Sequence, residues 1–245
     1  IPWRHFWKYV LTARGGFNEP FETLMFDVDF IPIPNGSNDK QVISLFKKLI
    51  SKGDIAAFIF EPIVQGASGM NIFSADVLSE LIYLAKNANV ITIADEVFTG
   101  FGRTGSWFAI DQLEHNPDII CLSKALTGGF LPLGLTVVDQ RIFDGFYSDE
   151  PKHTFLHGHS YTGSPLCCAA ANASLELMSK DSFWKNVENI SKRMTYNIEK
   201  IKSNKNVRAS RSIGLVGAVE VDAGGKSSYF NKSGKEIYKQ LLKRG

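Results

Sequence analysis

Val90-Ile-Thr-Ile-Ala94 is a short run of β-branched and apolar residues that stops on two acids, Asp95-Glu96. A run apolar on both faces and only a few residues long reads as a strand buried inside a covered sheet. Similar runs lie on either side of it. Ile55-Ala-Ala-Phe-Ile-Phe60 comes before, and Ile119-Ile-Cys-Leu122 and Leu133-Gly-Leu-Thr-Val-Val138 come after. Helical spacing fills the intervals, with Val42, Leu45, Phe46 and Leu49 on one face of residues 41–52. Ser74 is placed to cap a second helix carrying Val77, Leu78, Leu81 and Leu84. Strands alternating with helices predict an α/β domain whose mostly parallel central sheet is flanked by helices.

The pattern changes toward the carboxyl end. Residues 163–178 are Ala-rich, and residues 182–201 have amphipathic spacing with Trp184, Val187, Ile190, Met194 and Ile198 on one side. A short strand at Leu215-Val-Gly-Ala-Val-Glu-Val221, a Gly-Gly turn and a last helix follow. The expected organisation is a large domain over residues 1–180 and, from residue 181 to 245, the start of a small C-terminal α+β lobe. Residues 32–39, with two prolines and a glycine, read as a loop.

Composition narrows the function. The chain has 245 residues, of which 44% are hydrophobic and 21% charged, and 27 Lys+Arg face 25 Asp+Glu. A formal charge of +2 with no like-charge block leaves no footprint for nucleic acid or an anionic membrane. No apolar run approaches the about 20 residues that span a bilayer, so a cytoplasmic protein is expected. Cys121, Cys167 and Cys168 lack the paired spacing of a zinc site or a disulfide framework.

Polar residues at the carboxyl ends of strands mark ligand sites in α/β sheets. Three such ends stand out: Glu61-Pro62 with Gln65 and Gly66, then Asp95-Glu96, then Ser123-Lys124. The acid pair alone fits a solvated turn, a divalent-metal site or the partner of a cationic cofactor atom. Lys124 shifts the balance, because a lysine between a buried strand and Ala-Leu-Thr-Gly-Gly is expected to be desolvated and nucleophilic, the plainer alternative being a snorkelling surface lysine. A Schiff-base lysine on pyridoxal 5'-phosphate needs a carboxylate facing the pyridinium nitrogen, since that proton makes the ring an electron sink.

Three blocks now name a family. Ile93-Ala-Asp-Glu-Val-Phe-Thr-Gly-Phe-Gly-Arg-Thr-Gly105, Pro117-Asp-Ile-Ile-Cys-Leu-Ser-Lys-Ala-Leu-Thr-Gly-Gly129 and Phe155-Leu-His-Gly-His-Ser-Tyr-Thr-Gly-Ser-Pro-Leu166 closely resemble the class III pyridoxal-phosphate aminotransferases of fold type I. The resemblance implies that Lys124 binds the cofactor and moves the substrate proton, and that Asp95 faces the ring nitrogen. It implies that Val97 packs on the ring, that Glu61 and Gln65 lie at its polar edge, and that Arg103 is near the substrate channel. Ser160, where the family usually has Thr, would bind the cofactor phosphate, with Gly158 and His159 shaping that loop across a homodimer interface. Two of these have plainer readings: Glu61 could only organise a turn, and Arg103 could only pair with an acid.

His157 and His159 form a His-x-His pair that can ligate a metal. No third ligand sits at a sensible offset, so the phosphate-loop reading is preferred and no metal is expected. Within the family, residues 61–70, 121–129 and 166–175 look like the branch that serves biotin synthesis. Its members transfer an amino group from S-adenosylmethionine to 8-amino-7-oxononanoate. Alternatives are members acting on ornithine, 4-aminobutyrate or ω-amines, a non-catalytic remnant, and a nucleotide-binding domain disfavoured because no Gly-x-Gly-x-x-Gly follows a strand.

The family's proteins extend further at both ends, carrying a Gly-Ser phosphate turn before this chain and a substrate-carboxylate arginine after it, so both ends read as cuts. Where the family has Tyr-His-Gly-Asp-Thr-x-Gly, this chain reads Ile1-Pro-Trp-Arg-His-Phe-Trp7. One possible choice of codons for these residues, ATA CCA TGG CGA CAC TTT TGG A, gives Tyr-His-Gly-Asp-Thr-Phe-Gly when read from the second base. Residues 1–10 are therefore expected to be out of frame.

Overall fold

A computed structural model describes residues 28–66, 69–222 and 232–244. The expected frame change at residues 1–10 lies outside these. Four strands make the main sheet: β1 (Ala57–Phe60), β2 (Ile91–Asp95), β3 (Ile119–Leu122) and β4 (Leu135–Val138). They stand in the order β1-β2-β3-β4, with the first two pairings parallel and the last antiparallel. A mostly parallel sheet is what the alternating pattern predicts.

Helix α1 (Asp39–Ile50) precedes β1, and α2 (Ala75–Asn87) crosses from β1 to β2. Ser74 caps α2 as expected, its hydroxyl accepting from the Asp76 N–H at 3.1 Å. Val42 and Phe46 of α1 meet Val77, Leu81 and Ala85 of α2 in one buried cluster, with Phe58 of β1 packed against it. The helices therefore cover one face of β1. Its other face, Ala57 and Ile59, is exposed, so the expectation of a strand buried on both sides fails for β1. Only one helix layer packs there among the described residues.

Short α3 (Gln140–Phe146) is capped by Asp139, which accepts from the Ile142 N–H at 2.9 Å. Helix α4 (Pro165–Met178) and the long α5 (Asp181–Lys202) follow. Val187 and Ile198 of α5 are buried and Trp184 and Met194 half-buried, but Ile190 is 48% exposed. The buried stripe runs 187, 191, 194, 198, and Ile190 falls at its solvent margin. Helix α5 packs on a second, antiparallel sheet of β5 (Val207–Ile213) and β6 (Val216–Val221). Helix α6 (Lys232–Leu242) comes last.

At the amino end of the main sheet, Asp118 ties the layers together. Its Oδ2 accepts from the Thr92 N–H at 2.7 Å and the Thr92 hydroxyl at 2.6 Å, while Oδ1 faces Lys86 at 3.4 Å and Arg141 at 3.6 Å. Burial pushes this carboxyl upward, but the Thr92 hydrogen bonds and the Lys86 charge outweigh it and hold it below 3.8. A lowered acid stabilises the fold above its unfolded value and loses that contribution as pH falls through the folded value. Asp118→Asn is expected to cost roughly 1.5–3 kcal/mol at pH 7, the range for hydrogen bonds to a charged group. The gap from wild type should narrow in urea melts as pH falls from the ordinary aspartate range through the lower folded value. A gap that narrows nowhere on the acid side would contradict the charge assignment.

Candidate active site

The carboxyl ends of β1, β2 and β3 lie side by side, and each continues into a loop with one of the expected polar residues. Lys124 opens a single 3-10 turn, Lys124–Thr127, directly after β3 and Ser123. Its φ is +48°, a left-handed conformation that costs a non-glycine residue about 1–2 kcal/mol. Hydrogen bonds from three side chains hold that turn. The Ser123 hydroxyl donates to the Leu133 carbonyl at 2.7 Å, Thr127 to Leu131 at 2.5 Å, and Ser174 of α4 to Ala125 at 3.2 Å. Leu126 is buried beneath, among Phe101, Leu122, Ala171 and Met178.

The core thus encloses Leu126 and Thr127 and leaves Lys124 on the outer side of the turn, where it is exposed. The expected desolvation of its amine is therefore not met among the described residues. What the amine does touch is aromatic: Nζ lies 5.4 Å from the centroid of the Phe98 ring.

Asp95 ends β2 in register with Cys121 of β3, one residue before Leu122. It is half-buried, and its Oδ1 accepts from the Val97 N–H at 3.0 Å. The neighbouring acid points elsewhere. Glu96 is fully buried, accepting from the Ile110 N–H at 2.8 Å and from the Thr99 hydroxyl. Burial pushes the Glu96 carboxyl up, against the pull of those donors. The two acids have separate surroundings, which removes the reading of Asp95-Glu96 as one shared ligand site.

Beyond β1 the chain forms an arch whose arms are residues 63–66 and 69–73. Gln65 N–H donates to the Asn71 carbonyl at 3.0 Å and Phe73 N–H to the Ile63 carbonyl at 3.1 Å. Glu61 Oε1 accepts from the Gly66 N–H at 3.0 Å, so Glu61 does organise this turn. A Cβ on Gly66 would lie 3.1 Å from both that oxygen and the Phe98 ring. Arg103, half-buried, places its guanidinium carbon 6.0 Å from the centroid of the same ring. Phe98 therefore joins Gly66, Arg103 and Lys124. The sequence reading passed over Phe98, since nothing local distinguishes it from a core aromatic.

Gly158, His159 and Ser160 lie on the loop that leads into α4. Gly158 and Ser160 are exposed and His159 half-buried, and the contacts of this loop are local. Thr162 Oγ1 accepts from the His159 N–H and His159 Nδ1 from the Tyr161 N–H, each at 3.0 Å. No described contact joins this loop to Lys124. Among the described residues, no group of three or more His, Cys, Asp or Glu could hold a metal ion, and no helix is long and apolar enough to cross a membrane.

Strain gathers at the site. Among the described residues five non-glycine residues have positive φ, and four of them, Ile63, Met70, Phe101 and Lys124, lie in the loops just described. Gln65 Oε1 is buried there without a hydrogen-bond partner. An acceptor left so costs about 1–3 kcal/mol, and fits a ligand that brings a donor. An amine, a carboxylate and an orphaned acceptor at three adjacent strand ends suit pyridoxal phosphate, which offers an aldehyde, a pyridinium N–H and a ring hydroxyl.

The chain is similar to known proteins. A Synechococcus elongatus protein named adenosylmethionine-8-amino-7-oxononanoate aminotransferase is 50% identical over 173 residues, covering 67% of this chain and 41% of that protein. A Buchnera aphidicola protein from the Acyrthosiphon pisum strain, of the same name, is 38% identical over 217 residues, covering 86% of this chain and 50% of that protein. The crystal structure of the enzyme of that name from Methanocaldococcus jannaschii superposes with a TM-score of 0.85 at 31% identity, covering 94% of this chain and 54% of that one. The chain spans about half the length of these relatives. The profile of the family Aminotransferase class-III matches residues 10–245, and the chain belongs to that family.

Proposed function

We propose that the protein transfers the amino group of S-adenosylmethionine to 8-amino-7-oxononanoate, using pyridoxal 5'-phosphate, as a cytoplasmic homodimer. The observation that carries the reading is Lys124 on a strained, firmly held turn beside Asp95, in a chain 50% identical over 173 residues to a protein of that name. The cofactor, when bound, supplies an electron sink for the carbon next to the transferred amine. Lys124 offers the primary amine for its aldehyde, and the same Nζ accepts and returns a proton at the substrate carbon. Asp95 keeps a proton on the pyridine nitrogen while Val97, two residues on, packs on the ring. Gln65 accepts from the ring hydroxyl, and Glu61 shapes the turn that presents Gln65. Arg103 faces the anionic part of a substrate.

Ser160, with Gly158 and His159, binds the phosphate of the cofactor held by a second copy of the chain. Supporting this, the loop exposes Leu156, Tyr161 and Leu166, an apolar surface that a lone chain leaves in water. The first residues are read in a shifted frame, a proposal consistent with a family match that starts at residue 10.

The test is an assay of the full-length protein with pyridoxal phosphate, 8-amino-7-oxononanoate and one donor at a time. Formation of 7,8-diaminononanoate with S-adenosylmethionine, and not with ornithine or 4-aminobutyrate, is the expected result. Turnover of ornithine or 4-aminobutyrate alone would overturn the substrate assignment and keep the reaction class.

A further inference from the structure

The arch that carries Glu61 and Gln65 does not stand by its own hydrogen bonds alone. Ile63 has φ +64° and Met70 φ +55°, conformations that a β-branched and a long side chain each resist. Such a shape persists only where its surroundings impose it. The surroundings here come from the β5–β6 hairpin, more than a hundred residues away. Arg211 of β5 reaches across, its Nε donating to the Met70 carbonyl at 2.8 Å and its Nη2 to the Gly69 carbonyl. The same Nη2 pairs with Glu220 of β6 at 2.6 Å, and the Arg211 side chain is only 19% exposed. Val216 of β6 is buried against Ile63 and Val64, with Met70 and Ile72 packed around them.

We infer that Arg211, fixed by Glu220, is a positioning residue that clamps the Gly69–Met70 end of the arch and so sets where Gln65 and Glu61 stand at the cofactor site. The inference rests on the aminotransferase reading for the identity of the ligand, but not for the clamp itself. A planar guanidinium suits this task because it can serve two carbonyls and a carboxylate at once in fixed directions, which an ammonium cannot. The hairpin's turn meets the other side of the site as well, Leu215 N–H donating to the Arg103 carbonyl at 2.9 Å. One hairpin thereby braces two of the three segments that meet at Phe98, those of Gly66 and Arg103. Neither Arg211 nor Glu220 needs to approach the cofactor.

Arg211→Met and Arg211→Lys in the full-length protein separate this from general stabilisation. In the cofactor-free protein, the Gln65 and Phe73 amides report the arch by hydrogen exchange. With Arg211→Met they should exchange about tenfold faster, which corresponds to about 1.4 kcal/mol, while amides of α2 keep their wild-type rates. The apparent dissociation constant for pyridoxal phosphate, read from its visible band, should rise by a similar factor of about ten. Arg211→Lys, which keeps the charge and loses the fork, should fall between. Unchanged arch exchange and unchanged cofactor affinity in both variants would overturn the inference. A uniform rise across the chain would do the same, by making Arg211 merely structural. If the wild-type protein bound no pyridoxal phosphate, the aminotransferase reading would fail, and the exchange at Gln65 and Phe73 would still decide the clamp.

Discussion

Replacing Lys124 by alanine should abolish transamination by the full-length protein, lowering the rate at least about 10⁴-fold, the upper range for loss of a positioned acid–base group. The visible band that appears on adding pyridoxal phosphate should vanish with it. Folding should be nearly untouched, because Lys124 is exposed and the turn is held by the hydroxyls of Ser123, Thr127 and Ser174, none of which bonds to the Lys124 side chain. Alanine at φ +48° strains the backbone no more than lysine does. The informative result is the split: a normal melting curve beside a lost band and lost rate. A Lys124→Ala protein that melts normally and keeps its band would place the reactive amine elsewhere.

Gly214→Ala should be among the most damaging single substitutions available to the fold. A Cβ there would lie 2.4 Å from the Thr104 carbonyl carbon, 2.6 Å from the Arg103 oxygen and 2.6 Å from the Gly105 nitrogen. All three are backbone atoms, which cannot swing aside. The residue also has φ +53°, so alanine carries a conformational cost as well as a clash. Overpacking and backbone strain together amount to about 2–5 kcal/mol. Gly53→Ala is the control: its φ is +75°, but its Cβ would meet nothing within 4 Å. That change should cost only about 1–2 kcal/mol. Urea melts of the two variants test the difference, and equal losses would contradict the close approach of the hairpin turn to the Arg103 loop. A surviving Gly214→Ala protein should also show weaker cofactor binding, since the displaced loop leads to Phe98.

The two substitutions probe information of different range, and the sequence displays only one kind well. Strands β1 to β3 are legible because each is a short apolar run between polar ends, and the strand-end position of Lys124 and Asp95 follows from that. Strand β5 is not legible. Val-Arg-Ala-Ser-Arg-Ser-Ile holds four polar side chains in seven residues, and its pairing comes from register with β6 and packing on α5. Arg211 therefore reads as a solvated charge until the fold carries it to Gly69 and Met70.

Phe98 and Glu96 are hidden for a related reason. Their roles depend on which distant backbone faces them, Gly66 for one and Ile110 for the other. The burial of Lys124 failed as an expectation because desolvation is a property of everything that packs above the turn, and among the described residues Lys124 is exposed. Ile190 failed because the margin of a helical stripe depends on the angle at which the partner sheet crosses it.

The most direct measurement of the central claim is borohydride reduction of the full-length protein after loading with pyridoxal phosphate, followed by peptide mass spectrometry. The account predicts a single fixed pyridoxyl group on the peptide carrying Cys121-Leu-Ser-Lys124, at Lys124 itself. A group fixed on any other lysine, or none in a folded protein saturated with the cofactor, would contradict it.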